Sequence, residues 1–274
     1  METKSIQIAK TGGPSVMKLK TIDLPKPKKG EVTVRHTAIG FNFIDINHRT
    51  GRYPLEMPTG IGSEAAGVIE AVGRGVTDLK VGQRVVYIGA VGTYSEAQNV
   101  SANICVPIPR DITDELAAAT HLKGMTTEML VERVGNVKKG DVVLMHSASG
   151  GVGLLLCQWA KARGATVIGT ASSALKCKEI TRAGAKHAID TSKKDVAKEV
   201  AKITKGQGVD VVFDPVGKDT YETSLACLKD RGLLASFGGA SGPVPDVNLN
   251  EFRYMARAWR NSLRLTSGDR KAHV

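Results

Sequence analysis

The stretch Asp141 to Gly153, DVVLMHSASGGVG, constrains this chain more than any other. Val142, Val143, Leu144 and Met145 form a short apolar run with the character of a buried parallel strand, covered by helices on both faces. Ser147, Ala148 and Ser149 follow, then Gly150, Gly151 and Gly153, then Leu154, Leu155, Leu156, Cys157, Trp159 and Ala160 at helical spacing. Strand, glycine turn and helix in that order give the AxGxxG pattern a mechanism. Gly150 lets the backbone approach a pyrophosphate, Gly153 lets the helix pack on the strand, and the helix N-terminus offers N–H groups and a positive dipole end. The stretch reads as a dinucleotide site, against the plainer alternative of a glycine turn that only packs.

Beyond Gly153 the pattern alternates: 166–170 a strand, 174–183 a helix, 187–190 a strand, 195–205 a helix, 209–214 a strand, 220–228 a helix and 232–237 a strand. This is the alternation of a doubly wound α/β fold built on a parallel sheet. From Met1 to about His121 the chain reads instead as short β runs, 31–39, 67–72 and 84–88, punctuated by Gly73, Gly75, Gly82 and Gly89. Thr113 is a candidate N-cap for a helical region reaching Val134, and Lys123-Gly124-Met125-Thr126-Thr127 predicts a break or bend within it. The expected organisation is a β-rich domain over 1–122, a nucleotide-binding domain over 123–267 and an atypical tail over 268–274.

The formal charge of +11 raises nucleic acid or an acidic partner. Residues 253–274 alone carry six Lys or Arg against Asp269, so nearly half of the excess is local. The lysine-rich stretches 26–29 and 193–205 read as solvated faces. Cys105, Cys157, Cys177 and Cys227 show no CxxC spacing and read as reduced thiols. METKSIQIAK lacks a signal-peptide core and no apolar run approaches membrane-spanning length, so the expected location is the cytoplasm, away from membranes.

A site for NAD usually carries an Asp or Glu at the end of the second strand, on the ribose hydroxyls. Here that place reads Thr170-Ala171-Ser172-Ser173, with Lys176 and Lys178 after it. A carboxylate would repel a 2′-phosphate, whereas hydroxyls and a lysine would hold it, so NADPH is favoured over NADH. Ser172 and Ser173 also have the chemistry to cap the following helix.

Several blocks together resemble the medium-chain dehydrogenases/reductases, and within them the NADPH:quinone oxidoreductases that include zeta-crystallin. They are AIGFNFID (38–45), RTGRYP (49–54), GIGSEAAG (60–67), KGMTT (123–127), ASGGVG (148–153) and FGGASG (237–242), spread from about residue 11 to 267. The resemblance implies a Rossmann sheet preceded by a GroES-like β-rich domain. Zinc-dependent members hold their metal through a Cys near the position of Asn42 and a His at that of Ser63. Both replacements are poor zinc ligands, and Glu64 alone cannot hold the ion, so a metal-free enzyme is expected.

Without a Lewis acid, reducing an electrophilic quinone or enone suits the site better than oxidising an alcohol. The protein's task is then to align the acceptor and donate hydrogen bonds to its developing oxyanion. Asn42 and Tyr53 are the candidate pocket residues, and Asp45 either orients a neighbour or caps the helix that FNFIDINHR suggests. His36 and His48 have no partner legible in the sequence and read as packing or surface groups. The resemblance places Thr127 near the nicotinamide, Gly150, Gly151, Val152 and Gly153 on the pyrophosphate, and Ser173 with Lys176 at the 2′-phosphate, beside which Ser172 is a further candidate for cofactor binding. It also places Thr191 where an aromatic residue often holds the adenosine phosphate, and Phe237 and Gly238 beside the cofactor. Asn47 stands where a tyrosine is frequent.

Residues 261–267, NSLRLTS, resemble the last strand of the nucleotide domain, through which two subunits of such enzymes pair. Family members then continue for about 50 residues that complete the first domain. The chain is therefore expected to lack that completion, leaving apolar surface uncovered and stability reduced. Two further readings stand beside quinone reduction: enone or alkenal reduction, and a non-catalytic NADPH- or RNA-binding protein, with RNA the less favoured partner.

Overall fold

The computed structural model describes residues 1–246 and the backbone of residues 258–261. The chain divides into two compact units, Met1–Leu122 and Lys123–Val274. The tail over 268–274 lies outside the described residues.

The first unit contains β1 (Glu2–Ile8), β2 (Lys18–Asp23), β3 (Glu31–Gly40), α1 (Phe43–Thr50), β4 (Thr59–Gly60), β5 (Glu64–Val72), β6 (Arg84–Ile88), β7 (Ala97–Ser101), β8 (Val106–Pro107) and the start of α2 (Asp114–Glu128). Strands β7-β3-β5-β6-β8 form an antiparallel sheet, and β2-β1-β4 a smaller one. Val32, Val34, Ala65, Ile69, Val85, Tyr87 and Val100 make the core of the larger sheet. Strand β5 begins at Glu64, earlier than its sequence suggests. Gly67 explains how it pairs so closely with β3, since a Cβ there would collide with the carbonyl oxygen of Arg35. His36, on β3, does have partners: its Nδ1 lies 2.6 Å from the Ser95 carbonyl oxygen and its Nε2 2.6 Å from the Tyr87 hydroxyl.

Helix α2 is pinned at its start. The Thr113 hydroxyl caps the Leu116 N–H at 3.1 Å, and Asp114 accepts from the Thr37 hydroxyl (2.6 Å) and Arg84 Nε (2.7 Å). The break expected at 123–127 does not occur. The Thr127 hydroxyl donates to the Lys123 carbonyl one turn back (2.8 Å), a bond compatible with helix, and the Cα of Gly124 faces open space. The irregularity comes later, as a π-helical turn over Met129–Val134 in which the Gly135 N–H reaches the Leu130 carbonyl at 2.7 Å.

The second unit continues with β9 (Val142–Met145), α3 (Gly151–Ala162), β10 (Thr166–Ala171), α4 (Ala174–Arg182), β11 (His187–Asp190), α5 (Val196–Ile203), β12 (Val209–Asp214), α6 (Tyr221–Cys227), β13 (Leu228–Ser236) and β14 (Ala258–Asn261). All pairings are parallel, in the order β11-β10-β9-β12-β13-β14. Counted from β9, this is 3-2-1-4-5-6, the doubly wound order whose reversal between the first and fourth strands opens a crevice at their carboxyl ends. Strand β13 starts at Leu228, four residues before its expected start, where Leu228 pairs with Val209 ahead of a register shift. The expected strand over 261–267 lies outside the described residues except for Asn261, which ends β14.

Candidate functional site

In the first unit, β3 ends at Gly40 and α1 begins two residues after Phe41, so Asn42 sits at the N-cap of α1. Gly40 has no room for a side chain: a Cβ there would meet the Glu64 carboxylate, and the Ala118 carbonyl oxygen of α2 at 2.6 Å. Glu64 is fully buried at the head of β5. Its Oε2 accepts from Asn42 Nδ2 at 2.7 Å and its Oε1 from the Leu122 N–H at 2.7 Å. Asp45, also buried, accepts from the Asn42 N–H (2.9 Å), the Ser63 hydroxyl (2.7 Å) and the Tyr94 hydroxyl (2.9 Å). Both readings of Asp45 therefore apply: it caps α1 and it orients neighbours.

The structure thus brings Asn42 and Asp45 into one network with Ser63, Glu64 and Tyr94. Tyr53 is seated at the other end of α1, its N–H on the Asn47 carbonyl (3.1 Å) and its ring edge-on to His48. Sequence reasoning gave Glu64 and Tyr94 no site role. The signal for Glu64 was an acid heading an otherwise apolar strand, EAAGVI, which cannot be buried without donors.

In the second unit, Gly150 is the N-cap of α3, and Ser147 before it adopts a left-handed conformation (φ 51°) that turns the chain. The N–H groups of Gly151, Val152 and Gly153 open the helix without intrahelical acceptors. A Cβ at Gly153 would lie 2.5 Å from the Ala148 carbonyl oxygen, so glycine is what lets α3 pack against that turn. At the carboxyl end of β10, Ser173 caps α4 by accepting the Lys176 N–H (3.4 Å), as its sequence allows. Lys176 Nζ lies 3.4 Å from the Ser172 hydroxyl, and the Thr191 N–H donates to the Ala171 carbonyl (2.9 Å). Ser172, Ser173, Lys176 and Thr191 therefore gather at one strand end. Phe237 donates its N–H to the Asp214 carbonyl (3.0 Å), and Gly238 packs on Pro215. Thr127 is buried on α2 with its hydroxyl on the Lys123 carbonyl.

These residues fit a phosphorylated dinucleotide: free helical N–H groups for the pyrophosphate, and at the end of β10 a lysine with hydroxyls and no acid. They do not fit a catalytic zinc. The Asn42 carboxamide is engaged by Glu64 and the Ser63 hydroxyl by Asp45, neither a thiolate nor an imidazole. Among the described residues, no cluster of three His, Cys, Asp or Glu could hold a metal.

At the crevice between β9 and β12, His146 and Asp214 are both buried, the carboxylate accepting from the Val216 and Gly217 N–H groups and the Thr220 and Ser224 hydroxyls. Burial lowers the imidazole pKa of His36, His121 and His146 below the usual 6.5, opposed by the Ser95 carbonyl, Glu64 and Asp214 respectively. The unfolded chain therefore binds these protons more tightly than the folded one. Stability is complete above about pH 6.5 and is lost as pH falls through that value toward the folded pKa, by up to about 1.4 kcal/mol per pH unit for each histidine. Urea unfolding should show a lower midpoint at about pH 5.5 than at about pH 7.5. Equal midpoints would refute the assignment.

Residues 151–273 match the zinc-binding dehydrogenase family and residues 28–110 the alcohol dehydrogenase GroES-like domain. The chain is 49% identical over 248 residues to a quinone oxidoreductase of Pseudomonas aeruginosa, covering 90% of this chain and 76% of that protein. It is 43% identical over 251 residues to the 2-haloacrylate reductase of a Burkholderia species, covering 89% and 75%. The solved structure of Escherichia coli quinone oxidoreductase complexed with NADPH matches with a TM-score of 0.93 at 41% identity, covering 98% of this chain and 85% of that one. With this similarity across both units, and with Asn42 and Ser63 where zinc ligands would stand, the chain belongs to the zinc-independent quinone oxidoreductases of the medium-chain dehydrogenase/reductase family.

Proposed function

We propose that this protein is an NADPH-dependent quinone reductase that works without a metal. The observation that carries the reading is the 49% identity to a quinone oxidoreductase over most of the chain, joined to the close structural match with a relative complexed with NADPH. When bound, NADPH supplies the hydride. The chain's own residues hold and orient. The opening turn of α3 takes the pyrophosphate, and Ser172, Ser173 and Lys176 take the 2′-phosphate, with Thr191, Phe237, Gly238 and Thr127 completing the cofactor's surroundings. Asn42 and Tyr53 hydrogen-bond the acceptor or the nicotinamide ribose. Glu64 fixes the Asn42 carboxamide before any ligand arrives, which supports a role in stabilising a developing oxyanion without reorganisation.

In this reading the 1–122 unit carries the acceptor residues and 123–267 the cofactor residues, and the protein is cytoplasmic. No helix among the described residues is long and apolar enough to cross a membrane. Among the described residues β14 ends the parallel sheet, and a second copy pairs along the last strand of the nucleotide domain, expected over 261–267, to make a homodimer. Sedimentation should return a dimer's mass.

The deciding experiment follows NADPH oxidation with a panel of benzoquinones, naphthoquinones and enones, with NADH as control. Turnover is expected with quinones and NADPH. Tight NADPH binding with no turnover on any acceptor would leave only a binding protein, and RNA retention that survives salt would then point to the less favoured partner. Lys176→Ala should weaken NADPH about tenfold and leave NADH unchanged, because an ionic hydrogen bond to the 2′-phosphate contributes at least about 1.4 kcal/mol. Equal losses for both cofactors would remove Lys176 from the phosphate site.

A further inference from the structure

We infer that Thr170 is a positioning residue for the cofactor: its hydroxyl holds the turn between β9 and α3 in the shape that presents the start of the helix to the pyrophosphate. The inference rests on the cofactor reading above. Thr170 is 3% exposed and lies near the end of β10, the strand paired in parallel with β9. It grips the turn twice. Its Oγ1 accepts the Ser147 N–H at 3.2 Å, and its carbonyl accepts the Ala148 N–H at 2.9 Å. One residue earlier, Gly169 leaves the space that the Ala148 methyl occupies, since a Cβ there would lie 2.9 Å from that methyl and 2.9 Å from Ile180 Cδ1. Strand β10 is thus a template for residues 147 and 148.

The two grips differ in what they require. Any residue at 170 would supply the carbonyl, whereas the hydroxyl is particular to the side chain, and its partner is the strained residue of the turn. Ser147 sits at φ 51°, in the left-handed region that a residue with a Cβ adopts only when its surroundings hold it there. From Ser147 the effect reaches α3 through one more bond. The Ser147 carbonyl accepts the Gly150 N–H at 3.0 Å, and Gly150 is the N-cap of α3. Rotation of Ser147 out of the left-handed region would swing that carbonyl and displace the N-cap, and with it the opening N–H groups of the helix.

His146 closes the other side of the hydroxyl. Its ring is 1% exposed and its Nδ1 lies 3.4 Å from Thr170 Oγ1, so the hydroxyl is enclosed between the imidazole and the turn. Thr170→Val keeps the β-branched outline and removes these polar contacts alone, leaving the Ser147 N–H without its acceptor.

The test is the dissociation constant of the full chain for NADPH, NADH and 2′-AMP, the last having the 2′-phosphate without the pyrophosphate. Thr170→Val should weaken NADPH and NADH alike, roughly tenfold, and leave 2′-AMP unchanged. The 2′-AMP measurement separates positioning from a general loosening of β10, because Ser172 and Ser173 follow Thr170 closely in the chain and would be disturbed with it. Thr170→Ser returns the hydroxyl and should bring both dinucleotides back to within about twofold of wild type. Glycine takes the left-handed conformation without penalty, so in a Ser147→Gly background Thr170→Val should cost at most about twofold. Unchanged dinucleotide affinity in Thr170→Val, no recovery in Thr170→Ser, an equal loss for 2′-AMP, or a loss as large in the Ser147→Gly background would each overturn the inference. If the wild-type protein bound neither dinucleotide, the cofactor reading itself would fall and take the inference with it.

Discussion

Gly153→Ala should cost about 3 kcal/mol of stability and weaken NADPH binding by more than about 100-fold. The new Cβ would sit 2.5 Å from the carbonyl oxygen of Ala148, 2.6 Å from its Cα and 2.7 Å from its carbonyl carbon. All three are backbone atoms of a turn that is itself fixed, because the Ala148 N–H is bonded to the Thr170 carbonyl of β10 at 2.9 Å. Nothing flexible can yield, so α3 must move away from the end of β9. Its opening N–H groups move with it, and these are the groups proposed to take the pyrophosphate. Gly151→Ala is the internal control: the atoms nearest its Cβ belong to the movable stem of Lys123, so it should melt like wild type. Urea unfolding and NADPH titration of the two variants check both halves. A Gly153→Ala protein with wild-type midpoint and affinity would show that α3 can slide without consequence and would sink the packing argument.

The second unit was largely legible because buried parallel strands read as continuous apolar runs. The expected spans 187–190 and 209–214 coincide with β11 and β12. What escaped the sequence depended on contacts distant along the chain. A glycine and two threonines at 124–127 have poor helix propensity, yet the helix runs through them, and the π-helical turn falls instead on Met129–Val134. There Gly135 is pressed so closely against Phe213 of β12 that a Cβ would lie 2.7 Å from the ring, a tertiary contact with no local signature. Nearer the proposed acceptor residues, the partners of Asp45 include Tyr94, 49 residues away, and those of Glu64 include Leu122, 58 residues away. The partners of His36 are hidden from the sequence for the same reason, since Tyr87 and Ser95 lie 51 and 59 residues distant. The motif blocks name candidate residues, but not which side chains hold them still.

Asp45 offers the sharpest test of that distinction. If it only closed the capping box of α1 from position N3, Asp45→Asn would be nearly neutral, because an asparagine oxygen can still accept the Asn42 N–H. The network predicts a clear loss. Asp45 is 3% exposed and all three of its partners donate to it: the Asn42 N–H, the Ser63 hydroxyl and the Tyr94 hydroxyl. An asparagine can accept on one oxygen only and turns an NH2 group toward a donor. Hydroxyls can rotate to accept, which softens the penalty, so Asp45→Asn should lose about 1–2 kcal/mol and Asp45→Ala about 3–5 kcal/mol, the latter leaving buried donors unmatched and the cap gone. Such a loss is a large fraction of a typical domain's stability, so the kinetics are best read on Asp45→Asn. Its kcat for quinone should fall at least about tenfold, because the start of α1 that carries Asn42 loosens. Its affinity for 2′-AMP should stay unchanged, since Ser172, Ser173 and Lys176 belong to the other unit. Urea unfolding together with steady-state kinetics and 2′-AMP titration separates the outcomes. Wild-type stability and kcat in Asp45→Asn would reduce Asp45 to a helix cap, whereas a kcat loss at unchanged 2′-AMP affinity would mark it as the residue that positions Asn42.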